Sequence, residues 1–357
     1  MKKEGTTADR AGSGGLAHPL RWWHWPLLAA LIIGTVYCAL EYNGRLPGEP
    51  SDEAATFQHD AGSIFGTVYH ISYAYPHSLQ EGIDSLLECL DNSLSPFNPH
   101  SNISAINAAE HTAIADSFLL PVLILAQAIA ADTDGAFDIT VAPLVNAWGF
   151  GFEDMDEPGE ALIDSLRQFV GYQRLTLRGD TVVKDDARLL LNCSAIAKGY
   201  AVDRVAEWLA WQGVESYMVE IGGEIRLHGH NPDGEPWHIG VNAPRDDGDI
   251  ATVLTLTDAA IATSGNYRNH HEAAGRDVGH TIDPRTGEPA LSALRSATVL
   301  APTCAQADAY ATAFMVVGLA ESQAILRRHP EMQAVLIHAD EHGNELVWRT
   351  DSIAETE

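Results

Sequence analysis

The chain has 357 residues, 46% apolar and 20% charged, enough to bury a large core as one big domain or two moderate ones. Asp and Glu outnumber Lys and Arg by 49 to 21, a formal net charge of −28. Such a surface repels nucleic acid and anionic lipid, so a nucleic-acid function is excluded, and an anionic substrate needs a local metal or helix N-terminus to hold it.

Lys2, Lys3, Arg10 and Arg21 precede a run of 19 residues, Trp22 to Leu40, without Asp, Glu, Lys or Arg. That length spans a bilayer. The expectation is a cytoplasmic tail over 1–21, a transmembrane anchor over 22–40 and a linker over 41–62 that holds Leu46-Pro-Gly-Glu-Pro50. Trp22, Trp23 and Trp25 would sit at the cytoplasmic interface. Bulky Val36 and Tyr37 precede Cys38, and no small-x-small cleavage site follows, which favours an uncleaved anchor. Cys89, Cys193 and Cys304 show no CxxC and no Cys/His metal spacing, and three is odd, so buried free thiols are expected.

The folded domain is expected over 63–350, with a frayed tail at 351–357. Phe65, Thr67, Tyr69, Ile71 and Tyr73 alternate in strand fashion from Ser63. Ile83, Leu86, Leu87, Leu90 and Leu94 follow helical spacing, and Ser95-Pro-Phe-Asn-Pro-His-Ser101 is a loop. A helix is predicted from Phe118 to Ala131, then a turn-rich aromatic stretch from Gly135 to Gly151 and an acidic loop over Asp154 to Glu160. Leu189 to Asn192 is predicted as a short strand. A helix opens at Lys198-Gly199 and ends at Gly213. Tyr217, Val219 and Ile221, then Gly222-Gly223, then Ile225 and Leu227 give either a strand-turn-strand or one bulged strand. Further strands are predicted at 237–241, 253–257 and 296–301, a helix at 305–317, and a hairpin of 334–338 with 346–349 around Gly343. Strands in mixed order with helices between them indicate an α+β fold.

Walker A, G-x-G-x-x-G after a strand, and G-x-S-x-G are all absent. The chemistry therefore falls to Gly-rich and Asp/His-rich turns. Gly222-Gly223 lets backbone approach a ligand and the flanking Glu220 and Glu224 can bind hydroxyls, although for a lone Gly-Gly a plain hairpin turn is the stronger reading. Thr263-Ser264-Gly265-Asn-Tyr267-Arg268 has the composition of a phosphate-contacting loop. His280, in His280-Thr-Ile-Asp283-Pro-Arg285-Thr-Gly287, has a side chain suited to general acid–base work. Asp308 and Thr312 lie four apart on a predicted helix and so share a face. A carboxylate beside a hydroxyl is a hard oxygen pair suited to Mg²⁺, which points to a phosphate-bearing substrate.

These blocks stand in one order: Gly66-Thr67-x-Tyr69, Ser95-Pro-Phe97-Asn98-Pro, Gly135-x-Phe137-Asp138-Ile-Thr140, Pro143-Leu144-x-x-x-Trp148-Gly149-Phe150, Ala197-Lys198-Gly199, Glu220-x-Gly222-Gly223-Glu224, Ala262-Thr263-Ser264-Gly265, His280-x-x-Asp283-Pro-x-Thr286-Gly287 and Ala307-Asp308-Ala-x-Ala-Thr312. Together they resemble the FAD:protein FMN transferases, the ApbE-type flavin transferases, from about Phe65 to Gly318. The resemblance implies an ApbE-like α+β fold of mixed sheets with packed helices. It also implies an enzyme that uses Mg²⁺ and FAD, attaches FMN by a phosphoester to a Thr or Ser hydroxyl of an acceptor flavoprotein, and releases AMP.

By the same resemblance, Asp308, Thr312 and a backbone carbonyl near Ala197 hold the metal. His280 activates the acceptor hydroxyl, and Asp283 orients it or serves the metal region. Asp138, Lys198, Glu220, Gly222, Gly223, Thr263 and Ser264 lie along FAD. Tyr69 and Phe97 are candidate aromatic neighbours of the flavin or adenine, or else core residues. Where the family often has an Asp, this chain has Asn192, to which no role is given. The implied setting is the bacterial inner membrane with the catalytic domain in the periplasm, and the implied acceptors are subunits of membrane redox complexes. An FAD pyrophosphatase that uses water, and a non-catalytic FAD-binding protein, are the alternatives.

Overall fold

The structure, a computed structural model, describes residues 56–150, 158–244, 249–265, 270–273, 276–279, 281–351 and 353. The expected cytoplasmic tail, the membrane anchor, His280 and residues 154–157 of the acidic loop lie outside the described residues.

β1 (Phe57–Ile64) and β2 (Thr67–Ala74) form an antiparallel hairpin. The sheet thus begins at Phe57, within the stretch expected as linker, and the strand expected from Ser63 is β2, with its first expected residues, Phe65 and Gly66, in the hairpin's turn. Phe65 and Gly66 are its two turn residues, with left-handed φ of 51° and 73°. Two-residue hairpin turns favour this geometry because it matches strand twist.

α1 (Gln80–Leu94) buries Ile83, Leu87, Leu90 and Leu94 along one stripe. α2 (Asn102–Ala108) follows the expected loop and is capped by Ser101, whose side chain accepts from the Ser104 N–H. Next come β3 (Thr112–Ile114), α3 (Leu119–Asp132), α4 (Ala142–Ala147), α5 (Glu160–Arg167), β4 (Leu175–Arg178) and β5 (Thr181–Lys184). β3, β5 and β4 make a small separate sheet.

Leu189 to Asn192 is not a strand. The Leu191 N–H donates to Asn107 Oδ1 (2.7 Å), and Asn107 Nδ2 donates to the Leu191 carbonyl (2.9 Å), so one amide side chain replaces a ladder partner. A four-residue apolar run fits a strand or any other buried segment, which is why periodicity misassigns it.

α6 (Ala197–Trp211) precedes the hairpin of β6 (Tyr217–Ile221) and β7 (Glu224–His228), joined by Gly222 and Gly223 at φ of 63° and 103°. β8 (Trp237–Asn242) pairs with β9 (Ile250–Leu256). β10 (Ala259–Gly265) is a strand that carries Thr263, Ser264 and Gly265, where a loop was expected. β11 (His270–Ala273) pairs with β12 (Arg276–Gly279). β13 (Leu294–Ala301) leads into α7 (Cys304–Arg328), which breaks at Gly318 (φ 79°). β14 (Gln333–Ala339) and β15 (Glu345–Arg349) close the chain as the expected hairpin.

The main sheet runs β1-β2-β6-β7-β10-β13-β14-β15, antiparallel throughout. Its central strands are buried on both faces, because successive side chains alternate. Ala260 and Ala262, Ala297 and Val299, and Ala334 and Leu336 join the core formed with α1, α3, α6 and α7. Ile261, Leu300 and Val335 face the other way, onto Trp237, Ile239, Val241 and Leu254 of the β8–β9 ribbon. Each fully buried Leu, Ile or Phe contributes about 1.5–3 kcal/mol, so this double burial fixes the register. α7 is long and apolar enough to cross a membrane, but it packs as a core helix of the body.

Candidate active site

Where α6 and α7 cross, the chain permits no side chain. A Cβ at Gly199 would stand 2.3 Å from the Cys304 carbonyl oxygen. The two helix starts therefore meet backbone to backbone, and each binds the other. Asp308 Oδ2 accepts the Gly199 N–H at 3.0 Å. Asp203, on α6, accepts the Cys304 and Ala305 N–H groups, both at 2.9 Å, and is itself held by Arg226 of β7. Helix starts carry orphan N–H donors and partial positive charge, so carboxylates are stabilised there.

This crossing forms one wall of a cleft of about 720 Å³. Ala197, Lys198, Gly222, Thr263, Ser264, Asp308 and Thr312 all line it. Lys198 Nζ lies 3.1 Å from Glu224 Oε1 and 3.6 Å from Asp308 Oδ1. Burial pushes the Lys198 ammonium down, but Asp308 and Glu224 outweigh it and hold its pKa above the usual lysine value. Burial raises the Glu224 carboxyl well above the carboxylate range, although Lys198 pulls it back. Ser264 and Thr312 hydroxyls lie 3.2 Å apart, and Thr263 pairs with Thr298 across β10 and β13 at 2.9 Å.

Among the described residues no three or more His, Cys, Asp or Glu side chains converge as a metal cage. The donors on this wall are an Asp308 oxygen and the hydroxyls of Thr312 and Ser264. That set fits Mg²⁺, which takes one or two carboxylates and completes its shell from water and phosphate, and it does not fit zinc.

The cleft also has an apolar lining. Phe65, at the β1–β2 turn, joins Phe97, Phe137, Val141 and Phe150. Phe97 remains 60% exposed, at the rim. Asp138 lines the cleft but is committed to the fold. Oδ1 accepts from Thr140 N–H (2.8 Å) and Oγ1 (2.7 Å), and Oδ2 accepts from the Tyr172 N–H (2.6 Å). It caps the short 3₁₀ turn at Ile139–Val141.

Four residues expected at the site stand off the cleft wall. Tyr69 is a core residue: its hydroxyl donates to Asp84 and accepts from Gln80 Nε2 at 2.7 Å. Glu220 seats the hairpin turn, accepting the Gly223 N–H at 2.7 Å and pairing with His70 at 2.9 Å. Gly223 is the outer turn residue, where an added Cβ meets nothing within 4 Å. Asp283 holds Arg285, with Oδ1 and Oδ2 2.9 and 2.8 Å from its guanidinium nitrogens, while Thr281, Ile282 and Pro284 face the cleft. Trp148 Nε1 fastens the same turn by donating to the Gly287 carbonyl at 2.9 Å.

The sequence matches the ApbE family over residues 65–336. The chain belongs to the ApbE family. A protein named FAD:protein FMN transferase from Vibrio cholerae serotype O1 is 39% identical over 297 residues, covering 79% of this chain and 88% of that one. A protein of the same name from Haemophilus influenzae is 36% identical over 278 residues, covering 72% and 80%. The solved flavin transferase ApbE of V. cholerae superposes with a TM-score of 0.76 at 36% identity, covering 84% of this chain and 98% of that one. The apo flavinyl transferase ApbE of Pseudomonas stutzeri gives 0.76 at 32% identity, covering 84% and 96%.

Within this family fold, Asp203 and Arg226 carry no sequence signal, and Glu224 is marked in the sequence without its contact to Lys198. Glu224 was visible only as a flank of Gly-Gly. Asp203 follows Lys198 by five residues on a helix, and no spacing rule ties it to the start of another helix. Phe65 was placed on a strand, although Phe-Gly between alternating runs is a possible two-residue turn.

Proposed function

We propose that this chain is an FAD:protein FMN transferase, which moves FMN from FAD to a Thr or Ser hydroxyl of an acceptor flavoprotein and releases AMP. The observation that carries this reading is that one cleft collects Lys198, Asp308, Thr312, Thr263 and Ser264 beside an apolar wall. A dinucleotide with a flat aromatic ring and a central pyrophosphate has that same division of polar and apolar parts.

In this reading Asp308 and Thr312, with the Ala197 carbonyl, hold Mg²⁺. Bound there, Mg²⁺ neutralises the pyrophosphate and polarises the bond to AMP. Lys198 adds a fixed positive charge to the cleft of a strongly acidic protein. His280, next to the wall residue Thr281, takes the proton of the acceptor hydroxyl. The hydroxyl oxygen bonds to the FMN phosphorus as the phosphorus–oxygen bond to AMP breaks, and AMP leaves with the electron pair. The anchor over 22–40 holds the catalytic domain at the periplasmic face of the inner membrane, alongside redox-complex subunits as acceptors.

The test mixes the full chain with FAD, Mg²⁺ and an acceptor domain bearing a flavinylation Thr. Acceptor mass and AMP release are read together. A mass gain of one FMN with equal AMP supports transfer. AMP and free FMN with an unmodified acceptor favour a pyrophosphatase, and bound FAD with no product favours a flavin-binding protein.

A further inference from the structure

The Gly222-Gly223 turn and the strand after it form a seat for Lys198. Its stem passes against Gly222, where a Cβ would stand 3.4 Å from Lys198 Cδ and 2.8 Å from Thr67 Cγ2. Its ammonium is within hydrogen-bond distance of Glu224 (3.1 Å) but only at ion-pair distance from Asp308 (3.6 Å). Glu224 is 3% exposed, and its other oxygen, Oε2, is buried with no hydrogen-bond partner. Leaving a carboxylate oxygen in that state is costly, and a merely structural partner for Lys198 has no need of it. Asp308 has its Oδ2 on the Gly199 N–H, so Oδ1 is the oxygen left for a cation.

Two cations thus have claims on Asp308 Oδ1: the lysine ammonium and a divalent metal. We propose that Glu224 is a positioning residue that holds the Lys198 ammonium off Asp308, keeping Oδ1 available to the metal and Lys198 available to the phosphates. This rests on the reading of Asp308 as the residue that holds Mg²⁺. Without the Glu224 Oε1 contact at 3.1 Å, Lys198 has only Asp308 as a close partner and closes on it. The metal must then displace an ammonium in a low-dielectric site, where that contact is strong.

The test is calorimetric titration of MgCl₂ into the full chain in detergent, without FAD. Glu224→Gln, which keeps the shape, weakens Mg²⁺ binding about tenfold. Lys198→Met, which removes the competitor, tightens it. In the Lys198→Met background, Glu224→Gln has no further effect. A packing defect caused by Glu224→Gln persists without Lys198, so this suppression separates positioning from structure. Parental affinity in Glu224→Gln, or a loss that survives Lys198→Met, overturns the proposal. If Glu224→Gln does not fold, Lys198→Met alone decides, and unchanged or weaker Mg²⁺ binding overturns it. A parent that binds no Mg²⁺ overturns the metal reading and this proposal together. A parent whose binding is lost in Asp308→Ala yet unmoved by Glu224→Gln and Lys198→Met overturns this proposal alone.

Discussion

Asp203 and Asp308 cap each other's helices. Asp308 of α7 takes the Gly199 N–H at the start of α6, and Asp203 of α6 takes the Cys304 and Ala305 N–H groups at the start of α7. The orientation of Asp308 toward the cleft is thereby tied to a carboxylate on the other side of the crossing. Asp203→Asn loses the ionic bond to Arg226 and one acceptor, and is expected to cost about 1–2 kcal/mol. Asp203→Ala also strands Arg226, with an expected loss of about 3–5 kcal/mol. Urea unfolding measures both, and equal stabilities for the two variants contradict the reciprocal cap.

Gly199→Ala tests the crossing itself. Its Cβ meets a backbone carbonyl that cannot rotate away, so a loss of about 1–3 kcal/mol or more is expected. Gly66→Ala is the control: φ is 73° and nothing lies within 4 Å, so only backbone strain of about 1 kcal/mol is expected. Thermal unfolding that ranks Gly66→Ala as the more damaging change refutes the close-contact argument.

His280→Ala removes the proposed base and leaves Lys198 and Asp308 unsubstituted. Transfer to an acceptor is expected to fall about 10²–10⁴-fold while the FAD dissociation constant holds. A normal transfer rate, measured by acceptor mass against time, rejects the assignment.

Where α3 ends, Asp132 gathers Tyr310, Arg328 and His329 from α7 and its end, and His329 also pairs with Glu331. Burial lowers the His329 pKa, but Glu331 and Asp132 outweigh it and leave it above the ordinary histidine value. A pKa raised by folding means stability that is full below the unfolded pKa of about 6.5 and is lost as pH rises through the folded value. Stability is therefore expected to decline as pH rises above about 6.5, by under about 1 kcal/mol given the partial exposure of the pair. His329→Gln flattens that decline in urea unfolding measured as a function of pH. An identical slope in the variant removes His329 as its cause.

Much of the framework was legible because its signals are local. Ile83 to Leu94 repeat at helical spacing, Tyr217 to Ile221 alternate, and Gly222-Gly223 and Gly343 mark turns that the structure contains. The strand at Ala259–Gly265 was missed in part because its Ala, Thr and Ser residues have little apolar periodicity, yet it lies at the sheet centre between β7 and β13. Leu189 to Asn192 failed because a side-chain amide can stand in for a strand. At the site, Lys198, Asp308 and Thr312 were legible from motif blocks, and they meet on one wall. Tyr69 and Asp283 belong to the same blocks, but each is satisfied by a partner, Asp84 or Arg285, that adjacency in sequence does not identify. Motif membership reports that a residue matters, while its hydrogen bonds report to what.

The cleft draws its walls from Phe65 near the first strand to Thr312 on the last helix, with Phe97, Asp138, Lys198, Gly222 and Ser264 between. No contiguous fragment of the chain contains the binding surface. Whatever fills the cleft therefore behaves as a reversible cross-link among many otherwise separate connections. Its binding free energy is expressed as resistance of the whole domain to unfolding, and a proteolytic nick in any of those connections weakens ligand binding even where the nick lies far from the ligand.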